Sequence, residues 1–127
     1  MINIRGKVIY GEQIGSRTGY PTANLHWRVL RNKKVKKGVY AVWAEMSGKI
    51  HQGLLVVGVP GVKKFKKGKV EIYLLDYKKK IYGHWLNISI IKFLRPIREF
   101  KKVSQLNIQV RKDIRRAKGF FFKINSN

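Results

Sequence analysis

Hydrophobic and polar positions alternate along most of the first hundred residues, then change period in the last third. Val70, Ile72 and Leu74 alternate with Glu71, Tyr73 and Leu75, and Leu86, Ile88 and Ile90 alternate with Trp85, Asn87 and Ser89. This period of two is that of half-buried strands. Runs rich in β-branched and aromatic residues, separated by Gly and Lys clusters, predict strands near 4–10, 38–46, 50–58, 70–77 and 85–93, with a weaker extended piece around 22–26. Val103, Leu106, Val110, Ile114 and Ala117 are spaced 3, 4, 4 and 3, which places them on one face of a helix. Lys102, Arg111, Lys112, Arg115, Arg116 and Lys118 lie mostly off that face, and Gly119 is the expected stop. Several closely spaced strands followed by one helix predict a small antiparallel barrel or sandwich with a helix packed alongside.

A chain of 127 residues with 44% hydrophobic and 12% aromatic residues has enough apolar material for one core, which excludes disorder along its whole length. One domain over 1–127 is expected, with 119–127 as a short tail. Cysteine is absent, so disulfides, thiolate zinc sites and cysteine nucleophiles are excluded. The longest apolar run, Gly53 to Pro60, is far short of the roughly 20 residues of a membrane helix. The N-terminus lacks the apolar stretch of a signal peptide. These features predict a soluble, cytoplasmic monomer.

Charge changes the picture. Lys plus Arg is 29 and Asp plus Glu is 6, giving +23. Such an excess points to polyanions, among them RNA or the ribosome, or else to a lysine coat that only solubilises. The lysines cluster at 33, 34, 36 and 37, at 63, 64, 66, 67 and 69, and at 78–80. No cluster matches a named nucleic-acid motif. The acids are Glu12, Glu45, Glu71, Asp76, Glu99 and Asp113, and Glu71 stands out because it lies on an apolar strand.

Neither a Walker A loop nor GxGxxG occurs, and His26, His51 and His84 are too scattered to form a familiar metal motif. Trp27, Trp43 and Trp85 read as core or rim aromatics. The segment from Gly11 to Leu25 is richer in chemistry. Gly11, Gly15 and Gly19 permit turns whose N–H groups face a phosphate, Ser16 adds a hydroxyl donor and Arg17 a fixed cation. Pro21 stiffens the exit, after which Thr22 and Asn24 project to one side of an extended piece. Their oxygens are hard ligands suited to Mg²⁺ beside a phosphate. Read alone, the same segment is also an ordinary Gly-rich loop before a strand.

Pro21-Thr22-Ala23-Asn24, preceded by the Gly15-Ser16-Arg17 turn, resembles the signature of the riboflavin kinases. The likeness continues in order through Gly38-Val39-Tyr40-Ala41, the strand Val70-Glu71-Ile72-Tyr73-Leu74-Leu75-Asp76-Tyr77 and the turn Ile81-Tyr82-Gly83. It closes with Leu94-Arg95-Pro96, Phe100, Leu106 and Asp113, so that it covers about 6–118. The resemblance implies a six-stranded antiparallel Greek-key barrel with a C-terminal α-helix. It implies transfer of the ATP γ-phosphoryl group to the ribityl 5′-hydroxyl of riboflavin, giving FMN and ADP. Gly15, Ser16 and Arg17 would cover the phosphates, Thr22 and Asn24 would hold Mg²⁺ (or another divalent metal) and phosphate, and Tyr82 would border the adenine. Glu71 would act on the hydroxyl as base or orienting group, and Arg95 and Phe100 would lie on the riboflavin side, although Phe100 could equally seat the helix.

The chain departs from the family pattern in four places. The arch between Arg17 and Gly19 is one residue short. Val56-Val57-Gly58-Val59-Pro60-Gly61 lacks the asparagine and threonine of the family's second loop, Ile97 replaces a glutamate, and Lys101 replaces a helix-capping residue worth about 1 kcal/mol. A protein of this fold turned to RNA or ribosome binding without catalysis is the alternative reading.

Overall fold

The computed structural model describes residues 2–9, 23–58 and 69–125. Its elements are β1 (Ile2–Ile9), β2 (Ala23–Leu25), a 3₁₀ turn (Trp27–Leu30), β3 (Gly38–Met46), β4 (Lys49–Gly58), β5 (Lys69–Leu74), β6 (Trp85–Arg95) and α1 (Val103–Asn125). All neighbouring strands run antiparallel and close into a barrel in the order β1-β2-β5-β4-β3-β6. Strands β3, β4 and β5 follow one another as neighbours, and β2 returns beside β5, which is the Greek-key arrangement. The barrel with a C-terminal helix is therefore the one the sequence implies.

Because side chains alternate along a strand, each strand gives one set of residues to the barrel interior and another to its outside. Ile4, Val8, Leu25, Tyr40, Val42, Leu55, Val57, Val70, Ile72, Leu86 and Ile88 belong to the inner cluster. The outward residues Val39, Ala41, Leu54 and Tyr73 form a second buried cluster with Leu94, Phe100, Leu106, Val110, Ala117 and Phe121. Helix α1 covers this outer patch, including Tyr73, and with Glu71 also buried five residues in a row, Val70 to Leu74, are buried rather than alternately exposed.

The helix departs from the expected pattern at both ends. It begins at Val103, so the residue before its first turn is Lys102, and the Gln105 side chain accepts from the Lys101 backbone N–H (3.2 Å). It passes through Gly119 without stopping and ends at Asn125, so residues 119–125 extend the helix instead of forming a tail. An interior glycine costs about 1 kcal/mol relative to alanine. Burying the Phe121 ring, which is 0% exposed and 4.5 Å from the Trp43 ring, returns about 1.5–3 kcal/mol, and the helix continues.

Candidate active site

Strand pairing brings two of the expected residues together. Asn24 on β2 stands directly opposite Glu71 on β5, and Glu71 stands directly opposite Val56 on β4. The row continues to Val39 on β3 and Arg95 on β6. Residues opposite one another on neighbouring strands have Cβ atoms about 5 Å apart on one face, so Asn24 and Glu71 form a polar pair at one end of a row whose middle, Val56 and Val39, is apolar and whose far end is Arg95. Both are buried, at 6% exposure each. The Asn24 Oδ1 atom has no hydrogen-bond partner among the described residues. A buried amide oxygen left unsatisfied costs about 1–3 kcal/mol, a cost that a bound ligand would offset.

Tyr73, two residues beyond Glu71 on the same face, lies wholly within the helix–barrel cluster. Burial pushes its phenol far above the ordinary value of 10, the negative charges of Glu71 and Asp113 push it further, and Arg95 opposes them. Tyr73 therefore stays neutral between the site and the strut that holds the helix. That strut is a fork. Arg95 Nε donates to Asp113 Oδ1 and Nη2 to Oδ2, both at 2.8 Å, and Nη1 donates to the Pro96 carbonyl (3.1 Å). Gln109 Nε2 adds a third donor to Asp113 (3.0 Å), and Arg116 donates to the Leu94 carbonyl. A bidentate guanidinium–carboxylate pair is both strong and directional. It fixes α1 over the row.

The remaining expected residues fall elsewhere. Tyr82 lines a cleft of about 60 Å³ with Ala23, Ile72, Leu74, Tyr77, Ile81 and Lys78–Lys80. Ala23 and Ile72 are the chain neighbours of Asn24 and Glu71, so this cleft lies at the barrel mouth, immediately behind the polar pair. Arg95 belongs to the outer row but directs its guanidinium at Asp113. Phe100 is buried in the cluster that seats α1, with the Arg98 guanidinium 5.1 Å from its ring. Gly15, Ser16, Arg17 and Thr22 lie outside the described residues.

Two of the departures meet in space. Val56 sits beside Glu71, and Gly58 closes the same strand at φ +133, where an added Cβ would lie 2.9 Å from Ile97 Cγ1. Ile97 packs with the outer apolar cluster. The sequence did not single out Tyr73 or the Arg95–Asp113 pair as parts of a site. Asp113 at a helix position otherwise taken by apolar residues was the one visible signal. His51 is buried and bonded to Asp76 (3.0 Å), a structural contact. No cluster of three or more His, Asp or Glu suited to a metal occurs among the described residues, and no helix among them is long and apolar enough to cross a membrane.

Comparison with known proteins identifies relatives of the whole chain. A family model described as "Flavokinase: Riboflavin kinase" matches residues 1–121. The RNA-binding riboflavin kinase RibR of Bacillus subtilis is 37% identical over 117 residues, 90% of this chain and 49% of that protein. The riboflavin kinase of Mus musculus is 34% identical over 119 residues, 90% of this chain and 77% of that one. The crystal structure of riboflavin kinase from Trypanosoma brucei matches with a TM-score of 0.67 over 95% of this chain and 77% of that one. At 20% identity that likeness speaks for the fold alone. The chain spans half or less of the length of several bacterial relatives, 49% in one and 38% in others.

Proposed function

The chain belongs to the riboflavin kinase family, and from that premise we propose that it transfers the γ-phosphoryl group of ATP to the ribityl 5′-hydroxyl of riboflavin, yielding FMN and ADP. The observation that carries this reading is the buried cross-strand pair of Asn24 and Glu71, with Asn24 Oδ1 unpartnered among the described residues. Phosphoryl transfer asks little covalent chemistry of the protein and depends on positioning and charge neutralisation. Glu71 has the chemistry for the acceptor side: a carboxylate in reach of the hydroxyl takes its proton as the oxygen attacks. Asn24 and Thr22 have the chemistry for Mg²⁺, a hard cation that keeps several waters and asks few protein oxygens. The orphaned amide oxygen of Asn24 fits that role. When bound, Mg²⁺ would bridge phosphate oxygens and offset their charge.

The cleft lined by Tyr82 suits the adenine end of ATP, directly behind the pair, and Gly15, Ser16 and Arg17 would cover the phosphates. Riboflavin would approach along the outer row under α1, with Arg95 holding the wall through Asp113 and Phe100 seating the helix. Val56 in place of the family's asparagine makes the surface beside Glu71 apolar, which suits the hydrophobic face of a flavin. The setting proposed is the cytoplasm, with the kinase domain acting as a monomer. A non-catalytic RNA-binding descendant is disfavoured because Asn24 and Glu71 are both retained and paired. Contact with RNA or the ribosome would come in addition to transfer.

The test is conversion of riboflavin with ATP and Mg²⁺, Mn²⁺ or Zn²⁺, read by chromatography, with Glu71→Gln and Asn24→Ala alongside. FMN from the wild-type chain and its loss in both variants supports the reading. No FMN with any of the metals refutes it.

A further inference from the structure

The barrel end remote from the Tyr82 cleft carries features that phosphoryl transfer does not use. Residues 26–37 link β2 to β3 and hold Arg28, Arg31, Lys33, Lys34, Lys36 and Lys37, all exposed, with no acid among them. Of the five acids among the described residues, four are occupied or buried, and the fifth, Glu99, is exposed just before α1. Asp113 is neutralised by Arg95, Asp76 pairs with His51, Glu45 accepts from Asn87 and the Gly48 N–H, and Glu71 is buried. At the tip of this basic segment the Trp27 ring is 61% exposed, with the Arg28 guanidinium 5.8 Å from its centre.

Trp27 is mounted on a braced turn. His26 Nδ1 accepts from the Arg28 N–H (3.1 Å), and the Val29 and Arg31 N–H groups bond back to the His26 and Arg28 carbonyls. Val29 lies so close to Gly6 of β1 that an added Cβ would stand 2.6 Å from it. Beside the indole, Leu30, Val35, Val57 and Val70 line an open apolar cleft of about 410 Å³ flanked by Arg31 and Lys37. A single exposed tryptophan is common on protein surfaces. A braced one facing an apolar cleft flanked by Arg31 and Lys37, with Arg28 beside the ring and three more lysines on the same exposed segment, is a different object.

We propose that this end of the barrel binds single-stranded nucleic acid, with a base stacked on Trp27 at the cleft and the cations of residues 26–37 on the phosphates, Arg28, Arg31 and Lys37 the nearest to the ring and cleft. Charge complementarity selects a polyanion, and the aromatic-plus-basic combination is the one used for unpaired strands, whose base faces are free to stack. A duplex hides those faces. An acidic protein surface fits less well, because lysine is depleted at protein–protein interfaces. Val70 and Val57 place the cleft one residue along from Glu71 and Val56, toward the other end of the barrel from the Tyr82 cleft, and the proposal does not depend on the kinase reading.

The experiment is titration of the full chain with fluorescent short oligouridylate and oligodeoxythymidylate across about 50–200 mM salt. Binding should weaken with a log–log slope of about −4, or roughly 300-fold over that range, if six phosphates are met. Trp27→Ala should weaken binding about tenfold while leaving FMN formation unchanged. The double variant Arg28→Glu/Arg31→Glu should flatten the salt slope, whereas Arg111→Glu/Arg115→Glu on α1 should leave it as in wild type. Binding by either strand supports the proposal, and the tighter of the two identifies RNA or DNA as the source. The proposal is overturned if neither oligonucleotide binds, if Trp27→Ala binds as wild type, or if the α1 variant loses as much as the 26–37 variant. Equal binding to duplex, polyglutamate or phosphatidylserine vesicles overturns it as well.

Discussion

Strand β5 is buried on both sides, and its two faces do different work. The inner face, Val70, Ile72 and Leu74, is wholly apolar and is enclosed by the closure of the barrel itself. The outer face carries Glu71 and Tyr73, two ionisable groups, of which Tyr73 packs into the cluster made with a helix from the other end of the chain and Glu71 is buried beside it. One face is closed by sheet topology and tolerates no polar group. The other is closed by a separable lid of packing, and that is where charge can be kept out of bulk water yet remain reachable by a ligand. The proposed chemistry sits on the face whose cover is held by a few identifiable contacts.

The sharpest way to separate the faces is Glu71→Gln. FMN formation should fall by about 10²–10⁴, with the thermal unfolding midpoint nearly unmoved. A large fall in stability would mean that Glu71 holds the fold. Removing bulk on either side should cost stability instead. Phe121→Ala on the cover should cost about 3–5 kcal/mol and Ile72→Ala inside the barrel about 2–5 kcal/mol in urea unfolding. If Phe121→Ala costs less than 1 kcal/mol, α1 is not the outer face's cover. Asp113→Ala strands the Arg95 guanidinium and should cost about 3 kcal/mol. In steady-state kinetics it should raise KM for riboflavin more than KM for ATP, because the strut stands on the helix side of the row.

The smallest effect at neutral pH belongs to Tyr73→Phe, within about 1 kcal/mol. Its signature is alkaline. A phenol raised above 10 in the folded state stays protonated while the unfolded chain ionises, so the wild type loses stability as pH climbs past 10. The loss from this group approaches about 1.4 kcal/mol per pH unit, and Tyr73→Phe should remove that part of the slope. Tyr40, also raised by burial, should leave a residual slope.

Much of this was legible from periodicity. Alternation locates the strands because inward and outward positions differ in polarity, and Glu71 stands out because an acid on an apolar strand must have a partner or a task. Alternation says nothing about whether the outward face is later covered, so Tyr73 and Glu71 read as half-exposed when both are buried. The Gly119 stop failed for a related reason: a local propensity of about 1 kcal/mol yields to the burial of one phenyl ring. Arg95 and Asp113 are 18 residues apart on a strand and a helix, and only the crossing of those elements makes them a pair. The facing of Asn24 and Glu71 likewise depends on β2 reaching β5 across the closed sheet, a non-local register that spacing alone does not carry. Resemblance supplied both residues, and the strand register supplied their adjacency.

Among the described residues, strand β2 contains Ala23, Asn24 and Leu25, and there it meets β1 in two register pairs and β5 in three. The barrel is thus a hoop whose narrowest stave is also the one that presents the orphaned amide. Hydrogen exchange should find its amides among the first to open, ahead of the nine-pair seam between β3 and β4. Any ligand gripped by Asn24 clamps the stave in place and, by mass action, tightens the hoop as a whole. Occupancy of the site and integrity of the barrel are therefore one coupled equilibrium, and a loaded protein should be harder to unfold than an empty one.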